Sequence, residues 1–238
     1  MKEHPIIMDG ESVRAILAGR KTQTRRVVSD GNSQGNFWAS ELLLDDPQTF
    51  VDPGPSPAGN PGPYLHAPLD CEAICERLGW EPGDCNPTVV ERLYPRWFPG
   101  DRLWVRETWA WPNEDDVIYR ADLEARELVA GWKRDPNYPQ ISWRSPILMP
   151  RWASRITLGV TDVRCERLWE ISEEGARAEG ITDGECLDCG EPEPCGCDSP
   201  MPAPVDTFAR LWDAQNTKRG HPWVSNPWVW AITFEAEE

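Results

Sequence analysis

The sequence predicts an α+β fold, mainly β, built as a small β-barrel or half-barrel with helices packed at its ends. Most regular segments are short and alternate between apolar and polar residues, which is typical of strands. Few segments have the apolar spacing of a helix. The last segment, "NPWVWAITFEAE", is again typical of a strand. Short strands, few helices and a final strand favour a small β-barrel or half-barrel with helices at its ends.

The first elements are a strand, a helix and a basic loop. Pro5 to Met8 is a short apolar run that predicts a strand. A helix follows, with Ser12 as its cap and Gly19 at its end. Its apolar face comprises Val13, Ile16 and Leu17.

The second half supplies most of the predicted strands. "PGDRLWVRETWAW" indicates a tight turn and then a strand, and "DDVIYRAD" a second strand. "ILMPRWASRITLGVTDVRCERL" predicts one or two strands with Ile156, Leu158 and Val160 on one face. "ISEEGARAEGI" predicts a helix capped by Ser172 and stopped by Gly180. "VDTFARLWDAQN" predicts an amphipathic helix whose apolar side holds Phe208, Leu211 and Trp212.

Two long insertions interrupt what we predict to be a single domain over residues 1–238. The first covers about 29–98. Its stretch 51–70 is rich in Pro and Gly and predicts no regular element, while 71–80 predicts a short helix. The second covers about 182–204 and is rich in Cys, Pro and acidic residues.

Charge and composition limit the function classes. The formal net charge is −16, which argues against a protein that coats nucleic acid non-specifically. No run approaches the roughly 18 apolar residues that span a bilayer, and the first residues lack the apolar core of a signal peptide. We therefore expect a cytoplasmic protein with no membrane partner. Only three histidines occur, none at metal-binding spacing, so we expect no cofactor for catalysis.

The segment "AGRKTQTRR" at 18–26 gathers four cations around two threonines in this acidic chain. One interpretation is a solvated turn whose cations complement the dipole of the preceding helix. The other is an anion or nucleobase pocket in which a lysine activates a threonine.

Four blocks in order resemble the ASCH family of the PUA-like superfamily, especially its phage and prophage members. They are "ILAGRKTQTRR", "PGDRLWVRETW", "MPRWASRITLGVTDVRCERLWEISEEGARAEGI" and "NPWVWAITF". The resemblance implies a PUA-like β-barrel with a cleft beside the first helix. It also implies one of the family's activities. These include RNA association, a proposed ribonuclease, and small bacterial amidohydrolases that deacylate N4-acetylcytidine.

In those amidohydrolases a "GRKT-x-T" segment supplies a Lys and a Thr, and a later helix supplies a Glu. The matching positions are Lys21, Thr24 and Glu179, with Glu173 and Glu174 as competitors for the last role. A lysine with a lowered pKa can take the proton of a threonine hydroxyl, which then attacks the amide. The resemblance therefore implies an amidohydrolase for N4-acylated cytidine or a related modified nucleoside.

Other side chains are candidates for holding the substrate. Arg26 is suited to an oxyanion or carbonyl, and tryptophans are suited to stacking on a base. Glu107 lies either near the pocket or in a structural pair with Arg106 or Arg120. The predicted substrate-binding residues are Arg20, Arg26, Glu107, Trp104 and Trp109, with Trp38 as a further stacking candidate.

The second insertion contains a C-x2-C-x5-C-x-C pattern formed by Cys186, Cys189, Cys195 and Cys197. Four closely spaced thiols can hold a structural zinc, and the alternatives are a reduced loop or a conditional disulfide. In the first insertion Cys71, Cys75 and Cys85 lack a fourth ligand and are interpreted as buried or free thiols.

Two other functions compete with the amidohydrolase. A non-catalytic PUA-like module would bind RNA or modified DNA with strong salt dependence. A ribonuclease would use the basic cluster on a phosphodiester. Loss of Thr24 discriminates among them, because only the amidohydrolase requires its hydroxyl as the nucleophile.

Overall fold

The computed structural model describes residues 1–28, 95–111, 117–122, 141–182 and 203–237, together with the backbone of three strands between residues 50 and 93. The strands are β1 Glu3–Ile7, β2 Gln23–Val27, β3 Phe50–Asp52, β4 Tyr64–Pro68, β5 Val90–Leu93, β6 Arg102–Arg106, β7 Trp109–Ala110, β8 Ile118–Tyr119, β9 Thr157–Arg167 and β10 Trp228–Glu237. The α-helices are α1 Gly10–Leu17, α2 Glu173–Ala178 and α3 Pro204–Asn216.

The main sheet has five strands in the order β1-β6-β9-β10-β2. β1 runs parallel to β6, and the remaining neighbours are antiparallel. The long strands β9 and β10 pair along nearly their whole length, with a register shift between Thr233 and Phe234. The predicted α+β class, with few helices, is confirmed. The described strands form an open sheet with β1 and β2 at its edges, and they do not close into the expected barrel.

The two faces of the sheet carry separate cores. Successive residues of a strand point to opposite faces, and Trp230 belongs to one core while Val229 belongs to the other. The first core joins the sheet to α1 through Val13 and Ile16. The second joins it to α2 and α3 through buried residues such as Phe208. Helices therefore cover both faces of the sheet beside β10 and β2.

Helix α1 begins one turn earlier than expected. Asp9, and not Ser12, is its N-cap, and the Asp9 carboxylate accepts a hydrogen bond from the Ser12 backbone N–H at 2.7 Å. Val13 and Ile16 are buried as predicted, but Leu17 is 55% exposed, because it occupies the last turn beyond the edge of the core. The expected stop at Gly19 is confirmed by its φ of +69°.

The two later helices follow their predicted bounds closely. The Ser172 hydroxyl caps α2 by accepting from the Gly175 N–H at 3.0 Å, and Gly180 ends the helix with a φ of +92°. On α3, Phe208 and Trp212 are buried, whereas Leu211 is exposed at the border of the apolar face.

Part of the first insertion is regular. β3, β4 and β5 form an antiparallel three-stranded sheet. The prediction that 51–70 forms no regular element is therefore wrong for Val51 and Asp52, which belong to β3, and for β4, Tyr64–Pro68. This strand follows the Pro- and Gly-rich part and obtains its hydrogen bonds from two partner strands distant in sequence. The helix predicted at 71–80 and the cysteines at 71, 75 and 85 lie outside the described residues.

"DDVIYRAD" is mostly not a strand. Only Ile118–Tyr119 pairs, with β7, and a 3₁₀ turn over Arg120–Asp122 follows at once. Among the described helices, none is both long and apolar enough to cross a membrane.

Candidate functional site

A cavity of about 710 Å³ opens between α1, β2, α3 and the end of α2. Its wall includes Lys21 and Thr24 from the basic segment and Glu179 from the end of α2. All three side chains that the resemblance implies for catalysis therefore border one space, although Glu179 is 158 residues from Lys21.

Lys21 and Glu179 are joined by both backbone and side chains. Their backbones form an isolated antiparallel bridge. The Lys21 Nζ donates to the Glu179 Oε2 at 2.6 Å and to the Glu179 carbonyl oxygen at 2.7 Å. Both residues are buried, so the ion pair is shielded from water and its electrostatic interaction is strong.

Local turns bring these two residues together. After α1, the Lys21 N–H donates to the Ala15 carbonyl at 3.1 Å, and the Thr22 N–H donates to the Ala178 carbonyl at 2.9 Å. The turn after α1 is thus tied to the last turn of α2. Gly180 makes this approach feasible, because a Cβ there would lie 2.9 Å from the Cβ of Ala15 and 3.1 Å from the Cβ of Lys21.

Arg25 extends the pair into a chain of alternating charges. Its Nη1 donates to the Glu179 Oε1 at 3.2 Å, and its Nε donates to the Glu166 Oε1 on β9 at 2.9 Å. Because both oxygens of the Glu179 carboxylate are engaged, one by Lys21 and one by Arg25, the group is held in a single orientation. The sequence marked Arg25 only as one cation of the basic cluster and missed this role.

Thr24 is buried on β2, opposite Ile232 of β10, and lines the cavity. No hydrogen bond to another described residue engages its hydroxyl. The hydroxyl is therefore available to a molecule that fills the cavity.

Arg26 follows in the same wall. Its Nη2 donates to the Ile7 carbonyl at 2.7 Å and contacts the Met8 Sδ at 3.5 Å. Its Nε is buried and has no hydrogen-bond partner among the described residues, and the same holds for the Nε1 of Trp97, another wall residue. Burial lowers the pKa of Arg26 from its usual value. Two buried donors without partners indicate a wall suited to a ligand that brings acceptors.

The aromatic residues predicted for stacking lie elsewhere. The Arg106 guanidinium lies over the Trp104 ring, with its Cζ 4.5 Å from the ring centroid. Trp109 packs with Met149 and Ala153. Neither tryptophan lines the cavity. Strands β6 and β7, which carry these two residues, contribute no residue to the wall, so this part of the prediction is not supported. Trp38 lies outside the described residues.

The aromatic side chains that do line the cavity are Trp97, Phe208, Trp212 and Trp230. Sequence reasoning missed them for identifiable reasons. Phe208 and Trp212 have the helical spacing of ordinary core residues, and they do pack in a core. Trp97 lies in the segment interpreted as an insertion, yet it is buried in the main core.

Glu107 has a structural partner rather than a place in the cavity. It is 1% exposed, and Arg155 donates to its two oxygens at 2.9 and 3.1 Å. This partner is neither Arg106 nor Arg120, the two that the sequence suggested. Burial raises the pKa of Glu107 above its ordinary value despite the bidentate arginine.

The remaining site candidates lie on the surface. Arg20 is exposed and donates to the Gly180 carbonyl at 3.1 Å, outside the cavity wall. Glu173 pairs only loosely with Arg177, and Glu174 is exposed, so neither competes geometrically with Glu179.

The predicted zinc ligands Cys186, Cys189, Cys195 and Cys197 lie outside the described residues. Within the described ranges no group of three or more His, Cys, Asp or Glu side chains is arranged to hold a metal ion. The zinc site stays a prediction.

No protein-family model matches the chain, and no curated protein or solved structure matches it. The ASCH resemblance consequently stays a prediction carried by the four sequence blocks.

Proposed function

We propose that this protein is an amidohydrolase that removes the acyl group from N4-acylated cytidine or a related modified nucleoside, on a PUA-like fold. The observation that carries the proposal is the 2.6 Å contact between Lys21 and Glu179 in the wall that Thr24 shares. A nucleophile, a base and a carboxylate that orients the base are the three side chains of a triad-type mechanism for amide hydrolysis.

In the proposed reaction the Lys21 ammonium first passes a proton to Glu179, the acceptor within hydrogen-bond distance. The neutral amine then takes the proton of the Thr24 hydroxyl as the threonine oxygen bonds to the acyl carbon. Collapse of the tetrahedral intermediate breaks the bond between the acyl carbon and N4, and Lys21 returns the proton to the departing amine. Water then hydrolyses the threonine ester, releasing the carboxylic acid and restoring the hydroxyl, and Glu179 returns its proton to Lys21.

Other wall residues support substrate binding. The Nε of Arg26, which has no partner among the described residues, can donate to a substrate oxygen. The ring faces of the wall tryptophans can stack on a pyrimidine, and the Trp97 Nε1, which also has no described partner, can donate to it. A cavity of about 710 Å³ has the size typical of small-molecule sites.

The test is release of cytidine from N4-acetylcytidine, followed by chromatography. Thr24→Ala and Lys21→Ala should each abolish release. Thr22→Ala is the matched control, because Thr22 is exposed two residues away and uses its backbone carbonyl, not its hydroxyl, to accept from Phe234. Release by wild type and Thr22→Ala alone supports the proposal, and equal release by Thr24→Ala contradicts it.

A second candidate is a non-catalytic module that binds a modified base in RNA or DNA. It is favoured by the engagement of the Lys21 ammonium, which donates two of its three N–H groups to Glu179. A module of this kind would release no cytidine and would bind its ligand equally well after Thr24→Ala.

A further inference from the structure

The cavity wall reverses the charge balance of the protein. The chain as a whole has a formal net charge of −16. The wall nevertheless contains more cationic than acidic side chains: Lys21, Arg25, Arg26, Arg96 and Arg219 against Asp9, Glu11 and Glu179. A local concentration of arginines in an acidic protein indicates a ligand that carries negative charge.

Pairing within the protein accounts for only part of this positive charge. Lys21 and Arg25 share Glu179, and Arg25 also binds Glu166. In the described ranges Arg26, Arg96 and Arg219 form no ion pair, and the Arg26 side chain donates only to a backbone carbonyl and a thioether. Three arginines of the wall therefore have no described acid within ion-pair distance.

Arg26 and Arg219 approach the cavity from different elements. Arg26 is on β2, and Arg219 ends the 3₁₀ turn that follows α3. Burial is the main cause of the lowered pKa of Arg26, and repulsion from Arg219 adds to it, while Glu179 and Asp9 act in the opposite direction. Both arginines line the same cavity, and two cations that border one space form a site that a bound anion would stabilise.

Two of the three acids of the wall are already engaged, and the third, Glu11, is exposed and forms no ion pair in the described ranges. The Asp9 carboxylate is occupied by the Ser12 N–H at 2.7 Å and by the Gln215 side-chain amide at 2.8 Å. Glu179 is occupied by Lys21 and Arg25. The buried Nε of Arg26 therefore remains a charged donor that no acceptor among the described residues engages.

We infer that the cavity takes a phosphorylated pyrimidine nucleotide, a 5′-mononucleotide rather than a free nucleoside, with its phosphate between Arg26 and Arg219. The inference rests on the proposed function for the base and adds the phosphate. Arginine forks match phosphate oxygens in geometry and charge. A mononucleotide is favoured over a nucleic acid strand, because the acidic surface outside the cavity would repel a polyanion.

The test is calorimetric titration with cytidine 5′-monophosphate, cytidine and a short cytidine oligoribonucleotide. We expect the monophosphate to bind about tenfold or more tightly than cytidine, the effect of one charge-assisted contact. Arg219→Gln should bring the ratio of the two dissociation constants toward one. Lys218→Gln is the matched control: it removes the same charge from the adjacent exposed residue, which does not line the cavity, and should keep the wild-type ratio.

The outcomes separate this inference from the proposed function. If cytidine binds as tightly as its monophosphate, the inference is wrong, even where N4-acetylcytidine is still deacylated. If Arg219→Gln and Lys218→Gln reduce the ratio equally, the phosphate is not held at Arg219 and the inference is also wrong. Tightest binding of the oligoribonucleotide overturns the choice of a mononucleotide. Selective binding of the monophosphate that depends on Arg219, without any deacylation, keeps the phosphate site and rejects the amidohydrolase.

Discussion

Lys21 and Glu179 pair twice, through a backbone bridge and through a side-chain contact of 2.6 Å. The backbone bridge sets the position from which each side chain reaches the other, and Arg25 holds the second oxygen of the carboxylate. Any change that shifts the backbone at the end of α2 should therefore alter both the stability and the chemistry of the site.

Glu179→Gln should destabilise the protein and reduce any hydrolysis that it catalyses. The amide keeps the shape of the side chain but leaves the buried Lys21 ammonium without its counter-charge, which costs about 3 kcal/mol. Loss of the proton acceptor should lower kcat by about 100-fold. Urea unfolding and N4-acetylcytidine turnover measure the two effects. Glu173→Gln is the control on the exposed side of α2, and an equal loss there would contradict the role given to Glu179.

Gly180→Ala should be more damaging than the same change at Gly100. Both glycines have positive φ, +92° and +88°, so each substitution introduces strain of about 1 kcal/mol. Only at Gly180 would the new Cβ also meet Ala15 and Lys21 at 2.9 and 3.1 Å, whereas nothing lies within 4 Å at Gly100. We expect an additional loss of about 1–2 kcal/mol from this overpacking. Equal unfolding free energies for the two variants would show that the close approach has no energetic weight.

Arg25→Lys should lower stability although it conserves charge. A lysine cannot donate to Glu166 and Glu179 together as the arginine fork does. Losing one charge-assisted hydrogen bond in a buried site corresponds to about 2 kcal/mol. Arg20→Lys, at an exposed position outside the wall, should change the unfolding free energy by less than about 0.5 kcal/mol. Thermal or chemical unfolding of the two variants measures the difference in stability. Indistinguishable midpoints would show that the hydrogen bonds from Arg25 to Glu166 and Glu179 do not stabilise the fold.

Glu107 should give the protein a component of stability that decreases as pH rises. Burial raises its pKa in the folded protein above the value in the unfolded chain, so the folded state binds this proton more tightly. Its contribution is greatest below the unfolded pKa and is lost as pH rises through the folded pKa. The difference in unfolding free energy between wild type and Glu107→Gln should therefore become less favourable to wild type as pH rises above the pKa of the unfolded chain. A difference that is constant with pH, or that grows, would rule out a raised pKa.

Local pattern was sufficient for most of the main sheet and its helices. Alternation in β9 and β10, the Ser172 cap of α2 and the glycine stops after α1 and α2 depend on neighbours in sequence, so they can be read from the chain. The basic segment predicted as a loop contains strand β2, Gln23–Val27, which forms by pairing with the distant β10. The other errors occurred where several neighbouring residues were equally suitable. Asp9 replaced Ser12 as a cap, and Leu17 and Leu211 fell at the borders of their apolar faces.

The candidate site was likewise predicted only in part from the sequence. The motif "GRKTQT" identified Lys21 and Thr24 from sequence, and a resemblance supplied Glu179. Tertiary structure alone decided that Arg25 bridges two glutamates, that Glu107 pairs with Arg155, and that Trp97 rather than Trp104 or Trp109 borders the cavity. Periodicity fixes which face of an element a residue occupies. Which elements then meet depends on the order of strands in the sheet, and contacts across 158 residues exist only once that order is formed.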